Sequence, residues 1–171
     1  MSNILILNGS PRLNGNTMAM IESFKKGIQK NCNHFSAYNL AFMNVHDSVA
    51  NDNEMIKDDM EGIYKSLRES QYVVFASPLY FYSFSGYLKN AIDRLSNVKE
   101  IEDKKLIVFV SMGSSDVSSL EPLKEQCRLI AKHLKWELIS FLYLPECIKP
   151  SDYQKHIAEL EKPFQLGLSI E

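Results

Sequence analysis

Cysteine is scarce in this chain. Cys32, Cys127 and Cys147 are the only three in 171 residues, and no two stand at C-x-x-C spacing. Such spacing argues against a disulfide framework and reads as reduced thiols of a cytoplasmic protein. The histidines His34, His46, His133 and His156 are equally dispersed, so no metal site is expected. Long hydrophobic runs are also missing. Val73–Ala76 and Leu106–Val110 are far too short to span a bilayer, and no basic region followed by a long apolar run opens the chain. Neither a membrane segment nor a signal peptide is expected. Charge of one sign is lacking as well: 19 Lys and Arg against 21 Asp and Glu leave a net −2. That balance offers no cationic face to nucleic acid or to a membrane surface.

Several well-known catalytic motifs are absent too. No lysine follows Gly15, so the nucleotide-triphosphate loop G-x-x-x-x-G-K-[ST] is excluded. G-x-G-x-x-G is absent, which argues against a Rossmann dinucleotide site. Absence of G-x-S-x-G, and of any Ser/His/Asp set on loop positions, disfavours a serine hydrolase. No cysteine lies in the loop after the first apolar run, which disfavours a thiolate phosphatase.

What remains is an ordinary globular composition, 45% hydrophobic and 23% charged, in a chain long enough to bury one sizeable core. One domain spanning 1–171 is expected. Strand-like and helix-like segments alternate along it. Ile4–Asn8 is a short apolar strand, and Met18, Ile21, Phe24 and Ile28 follow at helical spacing. Phe35–Leu40 is a weaker strand, and Ala41–Glu54 reads as a long polar loop. Ile56, Met60, Ile63 and Leu67 mark a helix with Asp58 and Asp59 in its first turn, where they suit the dipole. Tyr72–Ala76 is a strand, and Leu88, Ala91, Ile92 and Leu95 give a helix. "KKLIVFVSM" is a strand, Leu120, Leu123, Cys127, Ile130 and Leu134 a helix, and "WELISFLYL" a final strand. Asp152–Lys162 reads as a last helix that Pro163 stops. The default for Asp93 and Arg94 is a structural ion pair, and for Trp136 a place in the core.

Three of the five strands are continuous apolar runs, the pattern of strands buried on both faces of a parallel sheet. Alternation with helices implies a doubly wound α/β fold of order 2-1-3-4-5, whose ligand lies at the carboxyl ends of the strands. Three loops converge there. The first lies in "LNGSPRLNGNTM", Leu7–Met18, and leads into a helix amino terminus, a natural anion site. Ser10, Asn14, Asn16 and Thr17 add donors, Arg12 adds charge, and Gly9 and Gly15 permit close approach. The competing reading is a plain turn with Asn16 or Thr17 as N-cap. The second loop, within "SPLYFYSFSGYLKNAIDR", crowds Tyr80, Phe81, Tyr82 and Phe84 past a buried strand, a platform for a flat ring. The alternative is that some of these rings pack beneath the loop or at a subunit contact; Ser85 suits an N-cap. The third, "SMGSSDVSS", supplies Gly113, Ser114, Ser115 and Asp116, either for the polar edge of that ring or merely as a loop capped by Ser118 or Ser119.

"GSPRLNGNT" and "SPLYFYSFSGYLKNAIDR" resemble the phosphate-binding and flavin-lining segments of the NAD(P)H-dependent FMN reductase family, which is flavodoxin-like. "MIKDDMEGIY" resembles the iron–sulfur flavoprotein branch, but Leu40–Glu54 carries no cysteine with which to build a cluster. The resemblance implies FMN with its phosphate on Ser10, Arg12, Asn14, Gly15, Asn16, Thr17 and Met18. It places the ring against Pro78, Leu79, Tyr80, Phe81, Tyr82 and Ser83, with Gly113 and Ser114 approaching from the third loop. It also implies NAD(P)H as co-substrate and a small electron acceptor such as a quinone or free flavin. It further implies a homodimer or higher homo-oligomer with the flavin at the subunit boundary, and no catalytic side chain is required. The alternatives are a flavodoxin-like electron carrier without direct NAD(P)H turnover, or an interaction protein that has lost flavin turnover. Against the carrier, flavodoxins resemble T-x-T-G-x-T where this chain has Ser-Pro-Arg and a later Asn-Thr.

Overall fold

A computed structural model describes residues 3–28, 32–36 and 58–170. The expected loop Ala41–Glu54, the end of the expected second strand, and Ile56 lie outside them. The described strands are β1 (Asn3–Asn8), β2 (Cys32–Ser36), β3 (Ser70–Pro78), β4 (Lys105–Ser111) and β5 (Glu137–Leu144). They form one parallel sheet in the order β2-β1-β3-β4-β5, as expected. The helices are α1 (Asn16–Gly27), α2 (Met60–Glu69), α3 (Gly86–Asp93), α4 (Glu121–Leu134) and α5 (Ile157–Leu168).

Alternate residues of the inner strands feed two cores. Leu5, Leu7, Val73, Phe75, Leu106, Val108 and Val110 pack with Ile63, Leu88 and Leu123 of α2, α3 and α4. Ile4, Ile6, Val74, Ala76, Ile107 and Phe109 pack with Met20, Ile21 and Phe24 of α1, and Leu160 and Leu166 of α5 lie against them. With both faces covered, neither face needs polar residues, which is why β1, β3 and β4 read as unbroken apolar runs. Trp136 is buried, and its indole N–H donates to the carbonyl of Ile101.

Three expectations shift. β2 begins at Cys32 rather than Phe35, in register with Ile4 of β1. It is an edge strand of half-buried and exposed residues, "CNHFS", so no apolar run marks it. Asp93 and Arg94 do not pair with each other. Asp93 pairs with Lys89, and Arg94 meets Asp58 at 2.8 Å, where both side chains are buried. Asp58 precedes α2, and its Oδ1 accepts the N–H of Met60 at 3.1 Å, anchoring the helix start.

The last helix also differs. Asp152–Lys155 is a separate 3-10 turn, and α5 runs from Ile157 through Pro163 to Leu168. Proline inside a helix costs about 3 kcal/mol, since it removes one hydrogen bond and crowds the preceding turn. Burial of α5 against α1 offsets this, and Pro163 itself is buried. The helices cross at paired glycines. A Cβ on Gly167 would lie 3.1 Å from Gly27 Cα, and one on Gly27 would fall on the carbonyl oxygen of Phe164. Only hydrogen at both positions permits the contact.

Candidate active site

At the carboxyl edge, Gly9 follows β1, and its N–H donates to the carbonyl of Ala76 at 2.8 Å. A Cβ here would come within 2.5 Å of both Leu88 Cβ and Ser85 Oγ. Glycine therefore lets the start of α3 close directly on the first loop. Ser85 caps α3, as expected, with Oγ accepting from Leu88 N at 3.4 Å and donating to the carbonyl of Gly9 at 2.6 Å. The first loop is tightly wound. Asn8 Oδ1 accepts the N–H of Ser10 at 2.9 Å, and Ser10 Oγ accepts that of Arg12 at 3.2 Å.

α1 begins without a side-chain cap. Its N-cap is Gly15, not Asn16 or Thr17. The side chains of those two residues are used elsewhere. Thr17 Oγ1 and Ser111 Oγ at the end of β4 share a buried hydrogen bond of 2.8 Å. Asn16 donates through Nδ2 to the carbonyl of Lys149 at 2.9 Å and accepts through Oδ1 from Tyr153 N at 2.8 Å. Its amide side chain is thus occupied in fixing the loop, leaving its backbone N–H at the helix start for an anion.

A cavity of about 300 Å³ opens at this point. Ser10, Arg12, Asn16, Thr17 and Ser111 line one part, and Pro78, Leu79, Tyr80, Gly113, Cys147 and Ile148 the rest. Three hydroxyls, a helix amino terminus and a guanidinium, with no carboxylate in the lining, form a donor set suited to a phosphate dianion. A second hollow of about 520 Å³ shares Leu79 and Gly113 with it and adds Phe81, Tyr82, Met112, Ser114, Asp116, Ser118, Ser119 and Pro122. Its aromatic and apolar side chains suit the face of a flat ring and its serines and Asp116 the polar edge, so the two hollows offer groups for both ends of FMN. A larger groove of about 740 Å³ between α1 and α5 starts at Leu13, Asn14 and Gly15 of the first loop and carries Glu22, Lys26 and Glu161. Two carboxylates against one ammonium make it a poorer seat for a dianion than the first cavity.

Ser10, Arg12, Asn16, Thr17, Pro78, Leu79, Tyr80 and Gly113 therefore meet in one cavity, and Phe81, Tyr82 and Ser114 line its neighbour. Asn14, Gly15 and Met18 line the α1–α5 groove instead. Ser83 lines neither hollow; its Oγ donates to Gln126 Oε1 of α4 at 3.1 Å. In the second loop, Phe84 packs edge-on against Phe75, with ring centroids 5.9 Å apart. The other rings stay outside. Phe81 is 97% exposed, and Phe81 and Tyr82 have φ of 45° and 64°. Tyr80 and Ser83 exchange two N–H···O=C bonds of 3.0 Å across them. Consecutive left-handed residues close such a turn most readily as Asn-Gly, so two aromatics there carry strain. Asp116 caps the 3-10 turn Val117–Leu120 by accepting from Ser118 N at 2.9 Å, so neither expected serine is the cap. Hydrogen bonds from the Ser118 side chain and then its backbone N–H hold the Asp116 carboxyl below the usual range.

Sequence reasoning missed Ser111, Cys147 and Ile148. Ser111 is the last residue of a strand whose carboxyl end faces the site, a position that could have flagged it. Cys147 and Ile148 belong to a fourth loop, residues 145–156, which folds back across the edge: Cys147 N donates to Met112 O at 2.8 Å, and Arg12 Nη1 donates to Ile148 O at 3.2 Å. Burial, followed by the neighbouring Asp152 charge, pushes the Cys147 thiol up to about 11, so it is not a thiolate at neutral pH.

The five-stranded parallel sheet of order 2-1-3-4-5, with hollows at its carboxyl edge, defines a flavodoxin-like protein. The NADPH-dependent FMN reductase family model matches residues 2–140, and the chain belongs to that family. It is 30% identical over 135 residues to an FMN-dependent NADPH-azoreductase from Staphylococcus saprophyticus, an alignment covering 76% of this chain and 69% of that protein. Among solved structures it resembles an NAD(P)H:quinone oxidoreductase from Methanothermobacter marburgensis (TM-score 0.78, 16% identity, 100% and 97% of the two chains). It also resembles an FMN-dependent NADH-azoreductase from Bacillus anthracis in complex with FMN (TM-score 0.73, 13% identity, 98% of each chain). Its cofactor is accordingly FMN, its co-substrate NAD(P)H, and its activity FMN-dependent oxidoreduction. No helix among the described residues is long and apolar enough to cross a membrane.

Proposed function

We propose that the protein is a cytoplasmic, homodimeric, single-domain reductase that passes reducing equivalents from NAD(P)H to small flat acceptors such as quinones, free flavins or azo compounds. The observation that carries this reading is the join between the two hollows. A polar, carboxylate-free end runs through Leu79 and Gly113 into an open end walled by exposed aromatics. FMN, when bound, would supply the redox chemistry that links the nicotinamide to the acceptor.

The chain's own part is to bind and orient. Ser10, Arg12, Thr17 and the backbone N–H groups of Asn16, Thr17 and Met18 would hold the phosphate. Asn14 and Gly15 shape the loop from its other side. Pro78, Leu79, Tyr80, Phe81, Tyr82 and Gly113 would flank the ring, with Ser114 at its edge and Ser83 fixing the turn from behind. The openness at Phe81 and Tyr82 leaves room for two flat molecules in turn, or for a second subunit at the rim.

The test is anaerobic. Protein reconstituted with FMN is mixed with NADH or NADPH while flavin absorbance is followed, and oxidised acceptors are then added. Bleaching by either nucleotide, followed by recovery with a quinone, free flavin or azo compound, is the expected result. A flavin that binds but stays oxidised with both nucleotides would leave an electron carrier in its place.

A further inference from the structure

Two side chains of the first loop end on backbone carbonyls of the fourth. Arg12 Nη1 donates to Ile148 O at 3.2 Å, and Asn16 Nδ2 to Lys149 O at 2.9 Å. One carboxylate holds the N–H groups of both Ile148 and Lys149 and thereby aims the carbonyl of Ile148. Asp152, 5% exposed, accepts through Oδ2 from Ile148 N at 2.9 Å and from Lys149 N at 2.6 Å. The N–H of Lys149 and the C=O of Ile148 belong to one planar peptide unit, so holding the first fixes the direction of the second. The carbonyl of Lys149 is held in turn by Asp152 N at 3.1 Å, and Pro150 restricts the rotation of Lys149 itself. Lys155 Nζ meets the other carboxylate oxygen at 2.8 Å. The family match ends at residue 140, so this loop lies beyond it.

We infer that Asp152 is a positioning residue for FMN. Without touching the cofactor, it sets how tightly the first loop grips the phosphate by aiming the Ile148 carbonyl that holds Arg12 and by pinning, through its N–H, the Lys149 residue whose carbonyl holds Asn16. This rests on the placement of the phosphate at the first loop. A carboxylate, rather than a neutral acceptor, suits the site because its oxygen takes two N–H donors at once while its partner oxygen takes an ammonium. The Lys155 bond, together with the N–H bonds, holds the carboxyl down at about 2, so the acceptor is ionised at any ordinary pH.

The experiment compares FMN with riboflavin, which has the ring but no phosphate. Apoprotein is titrated with each, and binding is read from flavin fluorescence. The wild type should prefer FMN. Asp152→Ala should weaken FMN by about tenfold or more, the scale of losing hydrogen bonds to a charged group, while riboflavin shifts less than about twofold. Asp152→Asn, which keeps an oxygen where the two N–H groups point, should restore most of the preference. In an Arg12→Ala background the Asp152→Ala effect should shrink, because the two act through one path. Should Asp152→Ala fail to accumulate folded, Asp152→Ser, with one acceptor in place, is judged by the same ratio. An unchanged FMN-to-riboflavin ratio in a wild type that does prefer FMN overturns this inference alone. A wild type without that preference overturns the phosphate placement and this inference together.

Discussion

At one end of the site, Ser10, Asn16 and Thr17 are buried, and each is fixed by a hydrogen bond to a named atom. At the other, Phe81 projects almost wholly into solvent from a turn held in left-handed backbone by two reciprocal bonds. The first end has its donors in place before any ligand arrives, so little ordering remains to be done on binding. The second spends conformational energy to keep apolar rings out of the core. A site built this way is selective for what it holds permanently and undemanding about what visits.

The largest expected effect would break the closed end at its foundation. Gly9→Ala puts a methyl 2.5 Å from Leu88 Cβ and Ser85 Oγ, and should lower stability by about 1–3 kcal/mol or more, read as a lower thermal midpoint with FMN binding lost alongside. Thr17→Ala tests the donors without overpacking. It removes a phosphate donor and strands the buried Ser111 hydroxyl, so FMN affinity measured by titration should fall by about 1–3 kcal/mol. Undiminished affinity would count against placing the phosphate there.

At the open end the sign should reverse. Replacing Phe81 and Tyr82 by Asn and Gly supplies residues that favour φ above zero, and should raise stability by roughly 0.5–1 kcal/mol in urea unfolding. FMN affinity should fall by less than about tenfold, or 1.4 kcal/mol, since ring contacts are lost while the phosphate end is untouched, and KM for aromatic acceptors should rise. The smallest effect concerns pH. The carboxyl of Asp152 is depressed in the folded protein from 3.8 to about 2. Its contribution to stability is therefore complete above the unfolded value and is lost as pH falls from about 3.8 through about 2. In acid titrations the stability gap between wild type and Asp152→Asn should stay constant above about 3.8 and close only in that window.

Much of this architecture was legible because burial writes itself into sequence when it is symmetrical. β1, β3 and β4 are covered on both faces, so nearly every residue in them is apolar. β2 lies at the sheet edge with mixed residues, and its position depends on pairing with Ile4 rather than on any pattern of its own. Pro163 misled because helix propensity is local, whereas the packing that overrides it comes from α1, some 140 residues away in sequence. The first and second loops announced themselves by composition. The fourth did not: Cys147 and Ile148 act through backbone atoms and long-range bonds, and neither leaves a spacing to read.

The glycine crossing of α1 and α5 has a thermodynamic corollary. The loop from Cys147 to Tyr153 is tied to the first loop at one side and runs into α5 at the other, so seating of the carboxyl-terminal helix and occupancy of the cofactor site share a free energy. A ligand that binds only the seated arrangement must stabilise it by mass action. FMN, added in excess over its dissociation constant, should therefore protect α5 from limited proteolysis, although no described residue beyond Tyr153 lines either hollow of the cofactor site.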